Sequence, residues 1–133
     1  DMGDYFGHWL EMGKNIPNPP KIFHVNWFRT DADGHFIWPG FGDNMRVLLW
    51  ILARCEGKVD ARETAIGYVP YAKDINIEGL DSTEDTVNEL LSVVNEAWLA
   101  DVENIKEFYD MIGGTVPCEL REELSALKAR LSK

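Results

Sequence analysis

The chain has 133 residues, 45% of them apolar and 27% charged, with 13 Lys+Arg against 23 Asp+Glu and a formal charge of −10. That length holds one modest hydrophobic core, and the composition is that of a folded chain, neither disordered nor embedded in a bilayer. No apolar run approaches the ~18 residues of a membrane span, and no basic stretch leads into an apolar one at the N-terminus, so a cytoplasmic chain without a signal peptide is expected.

Asp4 to Met12 place Tyr5, Phe6, Trp9 and Leu10 at helical spacing, with Gly13 as the expected stop. Asn15 to Pro20 is a breaker segment, because its three prolines remove backbone donors and push the residues before them towards extended conformations. Lys21 to Phe28 mixes aromatic and branched side chains and predicts a largely buried strand. Thr30 to His35 carries Asp-Gly turn chemistry, and Phe36 to Trp38 resumes the extended pattern, so a hairpin-like excursion is expected. After the glycines at 40 and 42, Met45 to Cys55 predicts a helix buried around most of its circumference, capped by Asp43 or Asn44.

Ile66 to Val69 is a short strand candidate. Beyond it, Ser82 and Asp85 have capping-box spacing, and apolar residues from Val87 to Ile112 recur at three and four, predicting one long helix or two consecutive ones. Gly113-Gly114 ends that pattern, Pro117 suits a first helical turn, and Leu120, Leu124, Leu127 and Leu131 predict a final amphipathic helix. Charge is unevenly spread along this half. From Asp74 to Asp110 there are eleven acidic residues and one basic, Lys106, so that segment holds the whole excess and the remainder, with twelve of each sign, is neutral. Nucleic acid is excluded as a partner, since no cluster of Lys/Arg is available to displace counterions, and no membrane association is expected.

Most chemical motifs are absent. Cys55 and Cys118 form no C-x-x-C pair and read as ordinary thiols. Asp31-Ala32-Asp33-Gly34-His35 opens like a calcium loop but lacks its later ligands, and reads as a solvated turn. His8, His24 and His35 have no ligand spacing, Glu11 has no acid–base partner, and no G-x-x-x-x-G-K-[ST] loop is present. The sequence therefore offers no catalytic residue and no metal ligand.

The dense feature is aromatic. Between Phe23 and Phe41, nineteen positions hold six of the fifteen aromatic residues: Phe23, Trp27, Phe28, Phe36, Trp38 and Phe41. Such rings either fill a core or wall a slot for a flat ligand, where stacking is worth ~1–3 kcal/mol per base. Phe41-Gly42-Asp43-Asn44 adds glycine beside an amide that offers donor and acceptor together. Asn44 is open to two readings at this point, a helix cap or a group that pairs with a base edge.

Ile22-Phe23-His24-Val25-Asn26-Trp27-Phe28-Arg29, then Phe36-Ile37-Trp38-Pro39-Gly40-Phe41-Gly42-Asp43-Asn44 and Arg46-Val47-Leu48, closely resemble the C-terminal part of GTP-dependent phosphoenolpyruvate carboxykinases. The resemblance runs from Met2-Gly3-Asp4-Tyr5-Phe6-Gly7-His8-Trp9-Leu10 through Glu63-Thr64-Ala65-Ile66-Gly67 to the last helix, with Ala65 where the family commonly has proline. It implies a mixed α/β fold of few strands and several helices, the C-terminal portion of the carboxykinase nucleotide-binding domain. A guanine-pocket segment would cover about residues 1–57 and an acidic helical segment about 58–133.

The resemblance further implies a decarboxylating lyase of gluconeogenesis that converts oxaloacetate and GTP to phosphoenolpyruvate, carbon dioxide and GDP, with Mn2+ or Mg2+. By motif position, Phe28 and Phe41 would sandwich the guanine, Phe36 would close an edge, and Asn44, with backbone near Gly40, would contact the base edge. The family's phosphate loop, reactive cysteine, metal ligands and substrate arginines have no counterparts here, so a piece of a monomeric enzyme is expected, inactive alone and able to self-associate through exposed apolar surface. A non-catalytic aromatic interaction module is the alternative, and a purely structural set of core rings the third reading.

Overall fold

The computed structural model describes all 133 residues as five α-helices, two short strands and two 3-10 turns. The fold is mixed α/β, with few strands and several helices as expected. It divides into two compact units, residues 1–20 with 93–133, and residues 21–92. No helix is long and apolar enough to cross a membrane.

The first unit is helical: α1 (Met2–Asn15), α4 (Asn95–Ile112) and α5 (Cys118–Leu131), while α2 (Asn44–Cys55) and α3 (Glu84–Leu90) belong to the other unit. Helix α1 is capped by Asp1, whose Oδ1 accepts from the Gly3 N–H at 2.6 Å and from the Thr115 hydroxyl at 2.9 Å. Gly3 has no room for a side chain, because a Cβ there would lie 2.3 Å from the Thr115 carbonyl oxygen. The helix runs past Gly13 and stops instead at Ile16, which takes an extended conformation (φ −85°, ψ 124°) as the residue before Pro17 must. Gly113 ends α4 at φ +90°, and the Arg121 guanidinium donates to the Tyr109 and Gly113 carbonyls that this end leaves free. Pro117 stands one position ahead of α5 as its cap residue. Val102, Val116 and Leu131 are the buried apolar residues of this unit.

The acidic face is solvated and partly paired: Lys128 reaches Glu103 at 2.6 Å, and Asp110 takes Lys106 at 2.8 Å and Arg121 at 3.3 Å. Glu119, in the first turn of α5, is held at about 2 against its usual 4.5 by its own backbone N–H first, then by Lys14 at 3.1 Å and the Cys118 thiol. A carboxylate lowered in the folded state stabilises fully above its unfolded value and loses that contribution as the pH falls from 4.5 towards about 2. A carboxyl NMR titration should therefore give Glu119 a midpoint near 2, and Glu119→Gln should flatten the stability of the chain against pH across that window. A midpoint at the ordinary glutamate value would refute the assignment.

The second unit holds the aromatic cluster. Lys21 to Phe28 forms no strand, contrary to the sequence expectation, and Ile22, Val25 and Phe28 are exposed. Ring and branched side chains favour a strand only when a neighbour supplies the ladder, and the single pairing near this segment is an isolated bridge between Thr30 and Phe36. That bridge closes the expected turn, in which Asp31 Oδ1 accepts from the Asp33 and His35 N–H groups and Gly34 sits at φ +84°.

Helix α2 is buried on one side only: Trp50 is the enclosed residue, whereas Met45, Leu48, Leu49 and Leu52 are exposed, which corrects the expectation of a helix enclosed all round. A two-residue hairpin loop at Ala65-Ile66 joins β1 (Arg62–Thr64) to β2 (Gly67–Val69), with Thr64 opposite Gly67 and the Thr64 hydroxyl on the Gly67 carbonyl at 2.6 Å. Helix α3 is capped by Thr83, one residue after the Ser82 of the sequence reading. It ends where Arg29 donates to the Leu90 and Ser92 carbonyls and Arg62 to that of Leu91. Those side chains take the carbonyls that a continuing helix would use, so the long apolar pattern breaks into α3 and α4. Trp50, Ala72, Ile75 and Val87 form the core of this unit, with Phe23, Ile51, Val59 and Leu91 packed on it.

Candidate functional site

The six clustered aromatics divide between two tasks. Phe23 packs edge-on against Trp50 at 6.4 Å and belongs to the core. The other five, with Pro39, Gly40 and Asn44, line one hollow of about 530 Å³, within the size range of small-molecule sites. Its floor is Trp38, 7% exposed, whose indole lies 6.3 Å from that of Trp27.

Three of the lining rings stand in solvent: Phe28 is 70% exposed, Phe36 64% and Phe41 95%. Phe28 and Phe36 meet edge to face at 5.8 Å, the geometry the ring quadrupoles favour. Their positions follow from the local backbone. Arg29, next to Phe28, is tied by its guanidinium to the end of α3, and the 30–36 bridge brings Phe36 back beside Phe28. Phe41 opens a 3-10 turn (Phe41–Asp43) entered through Gly40 at φ +112°, ψ −158°, a conformation open essentially to glycine alone. Arg46 then fastens that turn, donating to Asp43 Oδ1 at 2.9 Å and to the Asn76 and Glu78 carbonyls.

The helix-cap reading of Asn44 does not hold. Asn44 is the first residue of α2, and neither it nor Asp43 makes a side-chain cap. Its Oδ1 instead accepts from the Trp38 indole N–H at 2.8 Å. All four residues singled out from the sequence, Phe28, Phe36, Phe41 and Asn44, thus border the same hollow. The sequence reading missed Trp27 and Trp38 as lining residues. The signal that could have found Trp38 is that a buried indole N–H needs an acceptor, and Asn44 lies six positions on.

The other candidates do not line the hollow. Cys55 and Cys118 are free and exposed, and the neighbouring Glu119 carboxylate pushes the Cys118 thiol up, away from the reactive thiolate. Asp31, Asp33 and His35 have possible ligand atoms within 4.8 Å of one another, but all three are exposed. Backbone N–H groups, that of His35 foremost, hold the Asp31 carboxyl below its usual value, which is the signature of a turn that uses its aspartate structurally.

Fold and hollow together define a mixed α/β segment that presents an aromatic-walled cleft beside a fixed carboxamide. Residues 1–130 match the family model of the phosphoenolpyruvate carboxykinase C-terminal P-loop domain, and the chain belongs to that family. It is 49% identical over 133 residues to a protein of Renibacterium salmoninarum named phosphoenolpyruvate carboxykinase [GTP], covering 98% of this chain and 22% of that one. Proteins of the same name from Treponema pallidum and an Arthrobacter species are 48% and 49% identical over 134 residues, covering 98% and 99% of this chain. The chain spans about a fifth of the length of these relatives, 22% in each case.

Proposed function

We propose that this chain supplies the guanine pocket of a GTP-dependent phosphoenolpyruvate carboxykinase, a lyase that converts oxaloacetate and GTP to phosphoenolpyruvate, carbon dioxide and GDP in gluconeogenesis. The observation that carries the reading is the set of three exposed phenylalanines around one hollow that also contains Asn44. Large rings left in water are unfavourable, and a flat base between them recovers that surface while stacking. Family membership and the names of the relatives support the choice of GTP.

On this reading Phe28 and Phe41 take the two faces of the base, Phe36 closes an edge, and the Asn44 amide reads the polar edge. Stacking accepts either purine, so the carboxamide has to make the choice. Phosphoryl transfer and its Mn2+ or Mg2+ are assigned to the remainder of such an enzyme. The Asp31, Asp33 and His35 trio does not fit that metal, because Asp31 spends one oxygen on two backbone N–H groups.

The test is Asn44→Ala in a full-length carboxykinase carrying this segment. A wrong or missing edge partner strands buried polar groups at ~1–3 kcal/mol each, so the preference for GTP over ATP should fall about 5- to 150-fold. An unchanged preference removes Asn44 from base recognition. Retained nucleotide binding by variants that lack the rings, together with loss of a protein complex, would favour an interaction module instead.

A further inference from the structure

We propose that Trp38 is a positioning residue that fixes which way the Asn44 carboxamide faces, and thereby sets the base discrimination of the hollow. The inference rests on the guanine-pocket reading and deepens it. The two ends of an asparagine amide have nearly the same shape, so an unrestrained one can turn over and present either its oxygen or its NH2 at a given point. An indole N–H can only donate. Trp38 Nε1 lies 2.8 Å from Asn44 Oδ1, so the oxygen is the end held at the indole.

Neither partner is free to move away. Trp38 is buried and lies against Trp27. Asn44 has helical backbone angles (φ −60°, ψ −29°) at the start of α2, and Arg46 ties the preceding turn through Asp43. The carboxamide therefore keeps its NH2 and the second lone pair of its oxygen in a fixed order.

That order is what a purine edge tests. Guanine presents an acceptor (O6) beside a donor (N1–H), and adenine presents a donor (N6–H) beside an acceptor (N1). A freely turning carboxamide matches both patterns by flipping. One held by an indole matches a single pattern, so discrimination comes from the pair Trp38–Asn44 and not from Asn44 alone.

The experiment measures Kd for GDP and for ADP by calorimetry in a full-length carboxykinase carrying this segment, in wild type, Trp38→Phe, Asn44→Ala and the double variant. A second replacement at 38, benzothienylalanine, keeps the bicyclic shape and removes only the N–H. The ADP/GDP ratio of Kd values should fall at least fivefold in Trp38→Phe and in the benzothienyl variant. Adding Trp38→Phe to Asn44→Ala should lower it no further. A wild-type ratio in the benzothienyl protein, equal weakening of both nucleotides, or multiplying effects in the double variant would overturn the role of Trp38 and leave the guanine pocket standing. An unchanged ratio in Asn44→Ala would remove Asn44 from base recognition and overturn the role of Trp38 with it.

Discussion

Replacing Phe41 by alanine is expected to weaken GDP binding by a full-length carboxykinase about 5- to 150-fold, while the thermal midpoint of this 133-residue chain stays within experimental error. The two halves of that expectation come from the same fact. Phe41 is 95% exposed, so truncating it uncovers almost no buried surface and leaves no cavity. Its ring contributes only when something lies against it, and a stacked base is worth ~1–3 kcal/mol, which is the stated range of affinity. Phe28 and Phe36 make a less clean comparison, because each also touches the other at 5.8 Å and its loss disturbs its neighbour. Phe41→Leu should recover only part of the affinity, since it restores apolar area without a ring face. Unaltered GDP affinity in Phe41→Ala would remove the most exposed wall from the pocket and return the hollow to a surface irregularity.

The helices were legible because their information is local. Periodic apolar residues, Gly113 and the Ser/Thr cap region mark the start of α2, the start of α3 and the end of α4 to within a residue or two, as Thr83 for Ser82 illustrates, whereas the break between Leu90 and Asn95 was not marked. What covers a helix is not local, and that is where the sequence misled. Met45 to Cys55 reads as enclosed on composition, yet Met45, Leu48, Leu49 and Leu52 face solvent in this chain. The same limit applies to Lys21–Phe28, whose strand-like composition has no neighbouring strand to pair with, and to β1, whose Arg62-Glu63-Thr64 carries no apolar signal at all. At the hollow, the crowding of rings between 23 and 41 was visible. Its division was not, since Phe23 joins the core through a helix residue twenty-seven positions away, Trp50. The partner of Asn44 was missed because the sequence did not show that Trp38 is buried, and only a buried indole N–H demands the acceptor that Asn44 supplies six positions on.

Trp50→Ala is expected to destabilise the chain by ~3–5 kcal/mol, the usual cost of emptying a large buried aromatic site. Trp50 is 5% exposed and packs with Ala72, Ile75 and Val87, so its removal opens a cavity bordered by the 3-10 turn at 72–74 and by α3. It also deprives Phe23 of its edge-to-face partner. Phe23 anchors the 21–28 segment that carries Trp27 and Phe28, so the variant should weaken GDP binding as well as lower the denaturant midpoint. Trp50→Phe separates packing from polarity. It keeps a ring while deleting Nε1, which is buried without a protein acceptor, so relief of ~1–3 kcal/mol offsets part of the lost area and a much smaller change is expected. Leu49→Ala, on the open side of the same helix, should cost less than either, because its side chain is already half in water. One-sided burial of α2 thus orders the losses in denaturant midpoint, largest for Trp50→Ala, smaller for Trp50→Phe and smallest for Leu49→Ala; equal midpoints for Trp50→Ala and Leu49→Ala would show that the helix is anchored some other way.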